Sequence, residues 1–372
     1  MLKRLYIDNY RCFSNFEWRP GARVLLAGSN GSGKSTIFDV LSLLKQFLTR
    51  QRATGEVFAG DSITRWDSRN KQTFELTVES EGQDFDYRLV VEHDPDRSQS
   101  RVFHERLTAG DTLLYEYEDF AAHLYRDDGS RGPSFPTDWS RSLIATLGNR
   151  SDNQNLVRFR DRMCRFYLFA PDPLRMNFKS EREVRDPDPG LAEIASWLRH
   201  LQAEDSGFAN RLTGSLRHLL PGFSHYGLKS GSGDERSFSF HFSIPGRAGA
   251  AYELPFDRLS DGQRALTALY IVLNAVVKPD TTIGFDEPDN FVSLREIQPW
   301  LLSLEERQEA TGCQVFLVSH HPEIIDHLTH LDETMLLERD ASGIVRIGPF
   351  VWEDSDGAPA SELMARGWAS NA

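Results

Sequence analysis

Two hydrophobic periods alternate along this chain, and the points where one gives way to the other mark its elements. Residues 2–13 and 15–18 read as two strands joined by a tight turn. The run Arg23, Val24, Leu25, Leu26, Ala27 is almost wholly apolar and predicts a buried strand. A glycine-rich turn follows, and beyond it Ile37, Val40, Leu41, Leu44, Phe47 and Leu48 fall on one face at helical spacing. Residues 50–70 lose both periods and read as loop. Alternation returns at Phe74, Leu76 and Val78 and again at Phe85, Tyr87 and Leu89, with 80–83 between them as a hairpin turn. A second pair of strands is expected at 102–107 and 113–117, turning at Ala109, Gly110 and Asp111.

From 132 to 221 the texture becomes helical. Leu191, Ile194, Leu198 and Leu201 mark one helix, and Phe208, Leu212, Leu216 and Leu219 another. Both are short, and the long heptad runs of a chromosome-scale coiled coil are missing. Phe238, Phe240, Phe242 and Ile244 alternate as a half-buried strand. A helix over 264–277, an apolar strand over 281–286 and a buried strand over 315–319 come next. A hairpin over 333–338 and 344–349 and a small C-terminal helix close the pattern.

Composition narrows the picture. The 372 residues are 40% apolar, enough for one large domain or two of ordinary size. A formal net charge of −13 speaks against whole-molecule attraction to nucleic acid and leaves room only for a local basic face. Arginines including Arg158, Arg162 and Arg165 do cluster between 150 and 185, but acids are interspersed, as on a mixed solvated surface. Cys12, Cys164 and Cys313 lie far apart without metal-ligand spacing, which points to no disulfide framework and no zinc site. No signal-type apolar region opens the sequence and no apolar run approaches a membrane span, so a cytoplasmic protein without a membrane partner is expected.

The chemistry is concentrated in the glycine-rich turn. Gly28, Ser29, Asn30, Gly31, Ser32, Gly33, Lys34, Ser35 and Thr36 fit G-x-x-x-x-G-K-[ST] between a predicted strand and a predicted helix, which is the context a P-loop requires. The glycines let successive N–H groups converge on a phosphate, and the helix start adds its positive pole. Lys34 is expected on the β- and γ-phosphates of a nucleotide and the Ser35 hydroxyl on Mg²⁺.

Four further segments resemble the SMC/RecF/OLD-type AAA ATPases, which are heads of the ATP-binding cassette kind. Residues 8–13 resemble the opening of such heads and imply a phosphate contact for Arg11. Leu259, Ser260, Asp261, Gly262 and Gln263 nearly match the LSGGQ signature. In that family Ser260, Gly262 and Gln263 would face the ATP of an opposite subunit. Residues 281–288 resemble a Walker B strand, implying Mg²⁺ held through water by Asp286 and an attacking water oriented by Glu287. His320, followed by His321 and Pro322, resembles the γ-phosphate-sensing switch, with His321 left to cap the following helix.

The resemblance implies an α/β fold: a P-loop NTPase with a mixed core sheet, an antiparallel β-subdomain and an inserted, mainly helical lobe. The head would comprise 1–94 and 221–372, and the lobe 95–220. It also implies ATP and Mg²⁺ as ligands, a homodimer through an ATP sandwich, and action on DNA or on a separately encoded effector, as in DNA repair or anti-phage defence. By the same resemblance the segment 166–175 would occupy the Q-loop position, without a glutamine, leaving Asp172 or Arg175 as sensor candidates. A low-turnover scaffold or sensor and a transporter ATP subunit are the alternatives. Lys34 and Ser260 are separated by the inserted lobe, unlike in a transporter head. Asp186 and Asp188, flanked by prolines, read as loop, and Asp332, Glu338 and Asp340 as solvated surface, so no nuclease site is expected.

Overall fold

A computed structural model describes residues 1–94, 96–97, 99–244, 246–247, 250–329, 333–340, 342–351, 359–362 and 370–371. They divide into two compact units. One holds the described residues of Met1–Tyr167, Asp280–Gly284 and Gln314–Ala372, the other those of Leu168–Pro279 and Phe285–Cys313. These seams fall elsewhere than the expected boundaries at 94/95 and 220/221. The first of those lies in the connection between Gln83–Asp94 and Gln99–Ala109, two strands paired through ten residues of register.

The first unit carries an eight-stranded antiparallel sheet in the order Phe16–Trp18, Leu2–Asp8, Lys71–Ser80, Gln83–Asp94, Gln99–Ala109, Thr112–Glu118, Ala121–Tyr125, Arg131–Pro136. The strict alternation of Lys71–Ser80 places Phe74, Leu76 and Val78 inward, each almost wholly buried. The last two strands were not expected from the sequence, because 121–136 has little apolar alternation. Pro133 and Pro136 instead suit it to a sheet edge.

The second sheet runs Phe166–Phe169, Thr282–Asp286, Gln314–Val318, Arg23–Gly28, Glu333–Arg339, Val345–Val351, Ser370–Asn371. Arg23–Gly28 is flanked by parallel strands on both sides, and Val24, Leu25 and Leu26 are fully buried, which explains their unbroken apolar run. Gln314 fastens this core. Its side chain accepts from Leu2 N (2.7 Å) and Thr282 Oγ1 (3.0 Å) and donates to Leu2 O and Gly21 O (both 2.9 Å). All four hydrogen-bonding positions of the amide are used, so its burial carries no desolvation deficit.

The arginine cluster is not one open face. Arg162 is buried, donates to Thr282 Oγ1 (2.5 Å) and Glu79 O (3.3 Å), and pairs with Asp280 at 3.4 Å. Burial pulls its guanidinium down to about 10. Arg165 also pairs with Asp280, and Arg158 with Glu81 at 3.2 Å.

In the second unit the helix Asp261–Val276 is buried along its length from Ala265 onward. Around it lie Trp300, whose Nε1 donates to Leu269 O (3.2 Å), and Phe285, edge-on to Trp300 at 5.0 Å. The strand Arg236–Ser243 pairs with Phe223–Ser230, Ala251–Pro255 and Lys179–Ser180, and its Phe238, Phe240 and Phe242 face inward as the alternation predicts. A helix at Leu294–Thr311 was not anticipated, although Ile297, Trp300, Leu301 and Leu304 have the spacing of a buried helical face.

Several expectations need correction. The opening strand ends at Asp8 because Asn9 and Arg11 take left-handed backbone (φ 60° and 49°), and Tyr10 forms isolated bridges to Phe13 and Ile63. Residues 50–70 contain the helix Thr54–Val57 and the turn Gly60–Ser62. Thr54 is tied by its N–H and hydroxyl to Ser140 O. The helix expected from Leu191 starts at Ile194, since Leu191 itself is left-handed (φ 59°), and Leu219 lies past the end of Phe208–Arg217. Of the small C-terminal helix only the turn at 359–362 is described, and Asp332 lies outside the described residues.

Candidate functional site

The loop 28–33 connects strand Arg23–Gly28 to helix Lys34–Thr49. Gly28 must be glycine for close approach: a Cβ there would stand 2.4 Å from the Leu337 carbonyl and 2.8 Å from Ser32 Oγ. The helix N-cap is Gly33, left-handed at φ 103°, with no side-chain cap and no acidic residue in the first turn. Lys34 is 5% exposed, and its ammonium donates to Gly28 O (2.8 Å) and Ser29 O (3.0 Å), folding back over its own loop. Ser32 Oγ is buried without a hydrogen-bond partner among the described residues. Uncapped N–H groups, a buried cation and an unsatisfied hydroxyl are the donor set that a phosphate would complete. Ser35 is exposed and offers a hard oxygen, which suits Mg²⁺.

Around the loop the first unit gathers further groups. Arg11 forms an ion pair with Asp39 on the P-loop helix. Cys12 and Phe13 press against Gly33, whose Cβ would lie 3.0 Å from Cys12 Sγ. Burial pushes the Cys12 thiol up against a counteracting hydrogen bond from Thr36. His320 is exposed two residues beyond Val318, which pairs with Leu26, so it leaves the sheet at the end where Gly28 opens the loop. His321 immediately precedes the helix Pro322–Thr329. The His321 carbonyl accepts from Ile324 N (3.1 Å) and Ile325 N (3.0 Å), while its N–H donates to buried Ser319 Oγ (3.0 Å). One residue escaped sequence reasoning: Arg339 donates from Nη2 to Gly31 O at 2.8 Å. Nothing in its local sequence marks it, because only the pairing of its strand with Arg23–Gly28 brings it there.

The second unit holds the remaining candidates. Ser260 caps Asp261–Val276 in a reciprocal box: Gln263 N donates to Ser260 Oγ (3.2 Å) and Ser260 N to Gln263 Oε1 (3.1 Å). Gly262 lies against the loop after the acidic pair, and a Cβ there would stand 2.8 Å from Phe291 O. The structure therefore brings the 260–263 turn and the 289–292 loop together, which sequence order alone did not disclose. Asp286 ends its strand, and Glu287 takes left-handed backbone at φ 49° before Pro288. For a non-glycine residue that conformation is uncommon and marks functional sites more often than others. Asn290 Nδ2 donates to Glu287 Oε2 at 2.7 Å, fixing the carboxylate.

The weaker candidates have structural tasks. Asp172 Oδ1 accepts from Leu174 N (3.1 Å) and its carbonyl from Arg175 N (3.1 Å), closing a local turn. Asp188 sits in a loop, accepts from Ala192 N (2.6 Å), and has its carboxyl raised by burial and by Glu193. Among the described residues no group of three or more His, Cys, Asp or Glu is set to hold a metal, and no helix is long and apolar enough to cross a membrane.

With this geometry in hand, comparison gives one family. Residues 24–326 match the model of the family described as "AAA domain, putative AbiEii toxin, Type IV TA system". No curated protein matches. Among solved structures the chain is similar to the SMC head domain from Thermotoga maritima, at 16% identity and a TM-score of 0.48 over 94% of this chain and 99% of that one.

Proposed function

The chain belongs to that family of AAA domains, and from this premise we propose that it is an ATP-driven switch. ATP in the Lys34 loop draws two copies together head to head, each nucleotide bridging the P-loop of one copy and the Ser260 turn of the other, and hydrolysis releases them. The observation that carries this reading is the loop itself, a glycine-capped helix start whose buried lysine rests on its own carbonyls. On binding, Lys34 exchanges Gly28 O and Ser29 O for phosphate oxygens. Ser35, and Asp286 through water, would hold Mg²⁺, which would supply charge neutralisation at the phosphates. Glu287 orients the attacking water, general-base work typically worth about 10²–10⁴ in rate. His320 senses the γ-phosphate, and Arg11 reaches the phosphates once released from Asp39.

The output is a conformational change handed to DNA or to a separately encoded effector. The toxin–antitoxin wording of the family description favours the effector. Steady-state ATP hydrolysis by the purified full chain is the test. Glu287→Gln is expected to bind ATP and turn over at least about tenfold more slowly; unchanged turnover in that variant would remove Glu287 from the role assigned to it.

A further inference from the structure

We propose that Arg339 is a positioning residue for the phosphate cradle, fastening the Gly31–Ser32 peptide from outside so that the loop is set before a nucleotide arrives. This rests on the nucleotide reading of the loop. Strand Glu333–Arg339 runs parallel beside Arg23–Gly28 with Leu337 opposite Gly28, so its last residue leaves the sheet next to the loop. There the exposed guanidinium donates to Gly31 O at 2.8 Å. A planar trans peptide points its carbonyl and the following N–H in opposite directions. Holding the Gly31 carbonyl therefore also fixes the Ser32 N–H, which is bonded within the loop to Ser29 O at 3.1 Å.

The rest of the loop is fixed by other means. Gly28 is wedged against Leu337 O, and Lys34 holds the carbonyls of Gly28 and Ser29. Gly31 is different. It is exposed, left-handed at φ +76°, and has nothing within 4 Å of where a Cβ would be, so packing does not hold it. Glycine also loses the most conformational freedom on ordering. To the bond from Ser32 N–H to Ser29 O within the loop, the Arg339 guanidinium adds a charged hydrogen bond from a neighbouring strand, and a pre-ordered loop binds more tightly because less freedom is lost on binding. Since the restraint acts through the backbone of the cradle, it serves the phosphates that ADP and ATP share.

The test is equilibrium binding of ADP and of ATP to the full chain, without hydrolysis, for wild type, Arg339→Ala, Arg339→Lys and Lys34→Ala. Arg339→Ala is expected to weaken both nucleotides by the same factor, about three- to tenfold, with the melting temperature of the nucleotide-free protein unchanged. Arg339→Lys should recover part of the loss, since it keeps a charged donor but not the planar fork. Wild-type affinity for both nucleotides in Arg339→Ala would overturn the proposal. So would a loss confined to ATP, which would make Arg339 a direct γ-phosphate contact. If the alanine variant does not fold, Arg339→Gln is read by the same criteria. Wild-type binding in Lys34→Ala would instead overturn the nucleotide reading of the loop, so the two failures are distinguishable.

Discussion

Two helices carry this chain's candidate phosphate chemistry at their N-termini, and they are finished in opposite ways. Lys34–Thr49 begins at a left-handed glycine with no side-chain cap and no acid in its first turn. Asp261–Val276 begins at a serine locked in a capping box with Gln263, and Asp261 adds an acid to the first turn. The first end leaves its N–H groups and positive pole for an anion, while the second is already satisfied by its own residues. The contrast implies an order of events. Lys34–Thr49 can take a phosphate unaided, whereas the Ser260 turn engages one only when the contact is worth more than the cap, about 1 kcal/mol. In the proposed switch, an ATP presented by a second copy would be that ligand.

The largest effect should come from the open end. Lys34→Ala removes the buried ammonium at the loop, and ATP affinity measured by titration calorimetry should fall at least about a hundredfold. Affinity within a factor of two of wild type would break the comparison outright. At the capped end, Ser260→Arg should leave ATP affinity intact and abolish ATP-dependent association. Loss of ATP binding in that variant would mean that the two ends are not independent.

A smaller effect concerns the response of the first unit to pH. Glu105 is fully buried in the eight-stranded sheet of the first unit, accepting from Tyr87 Oη (2.9 Å), Tyr115 Oη (3.2 Å) and Ser142 Oγ (2.6 Å). Burial pushes its carboxyl up to about 7, and the three hydroxyls only partly oppose this. The folded state then keeps a proton that the unfolded chain releases at its ordinary value of 4.5. The resulting stabilisation is full below that value and is lost as pH rises through about 7, on the order of 3 kcal/mol in all. Urea titrations between pH 5 and 8 should show this decline, and Glu105→Gln should flatten it; an unchanged slope in the variant would assign the decline to other groups. Smallest of all, Ser260→Ala should cost about 1 kcal/mol of stability in the same titration through loss of the cap.

The strand–loop–helix frame of the P-loop was legible in the sequence, for a physical reason. A P-loop is a local device: spacing, glycine backbone freedom and the strand-to-helix context are all written within nine residues, and Gly28, Gly33 and Lys34 lie where that spacing put them. The capping partnership of Ser260 with Gln263 is equally local. Arg339 was not legible, because its role depends on which strand pairs with Arg23–Gly28. Gln314 was hidden in the same way, since its four bonds reach Leu2, Gly21 and Thr282. Two of the seams between the units, at 167/168 and 284/285, fall inside the strands Phe166–Phe169 and Thr282–Asp286, where no change of composition marks a boundary. The left-handed backbone at Arg11, Leu191 and Glu287 also escaped the pattern, because these residue types carry no reliable sign of it.

The central claim is that ATP joins two copies, the open end of one to the capped end of the other. The most direct test is the mass in solution of the Glu287→Gln variant, measured by light scattering with no nucleotide, with ADP and with ATP. The expected result is one 42.3 kDa chain without nucleotide or with ADP, and twice that mass with ATP. Adding Ser260→Arg is expected to return the ATP sample to a single chain. The same mass under all three conditions would contradict the claim.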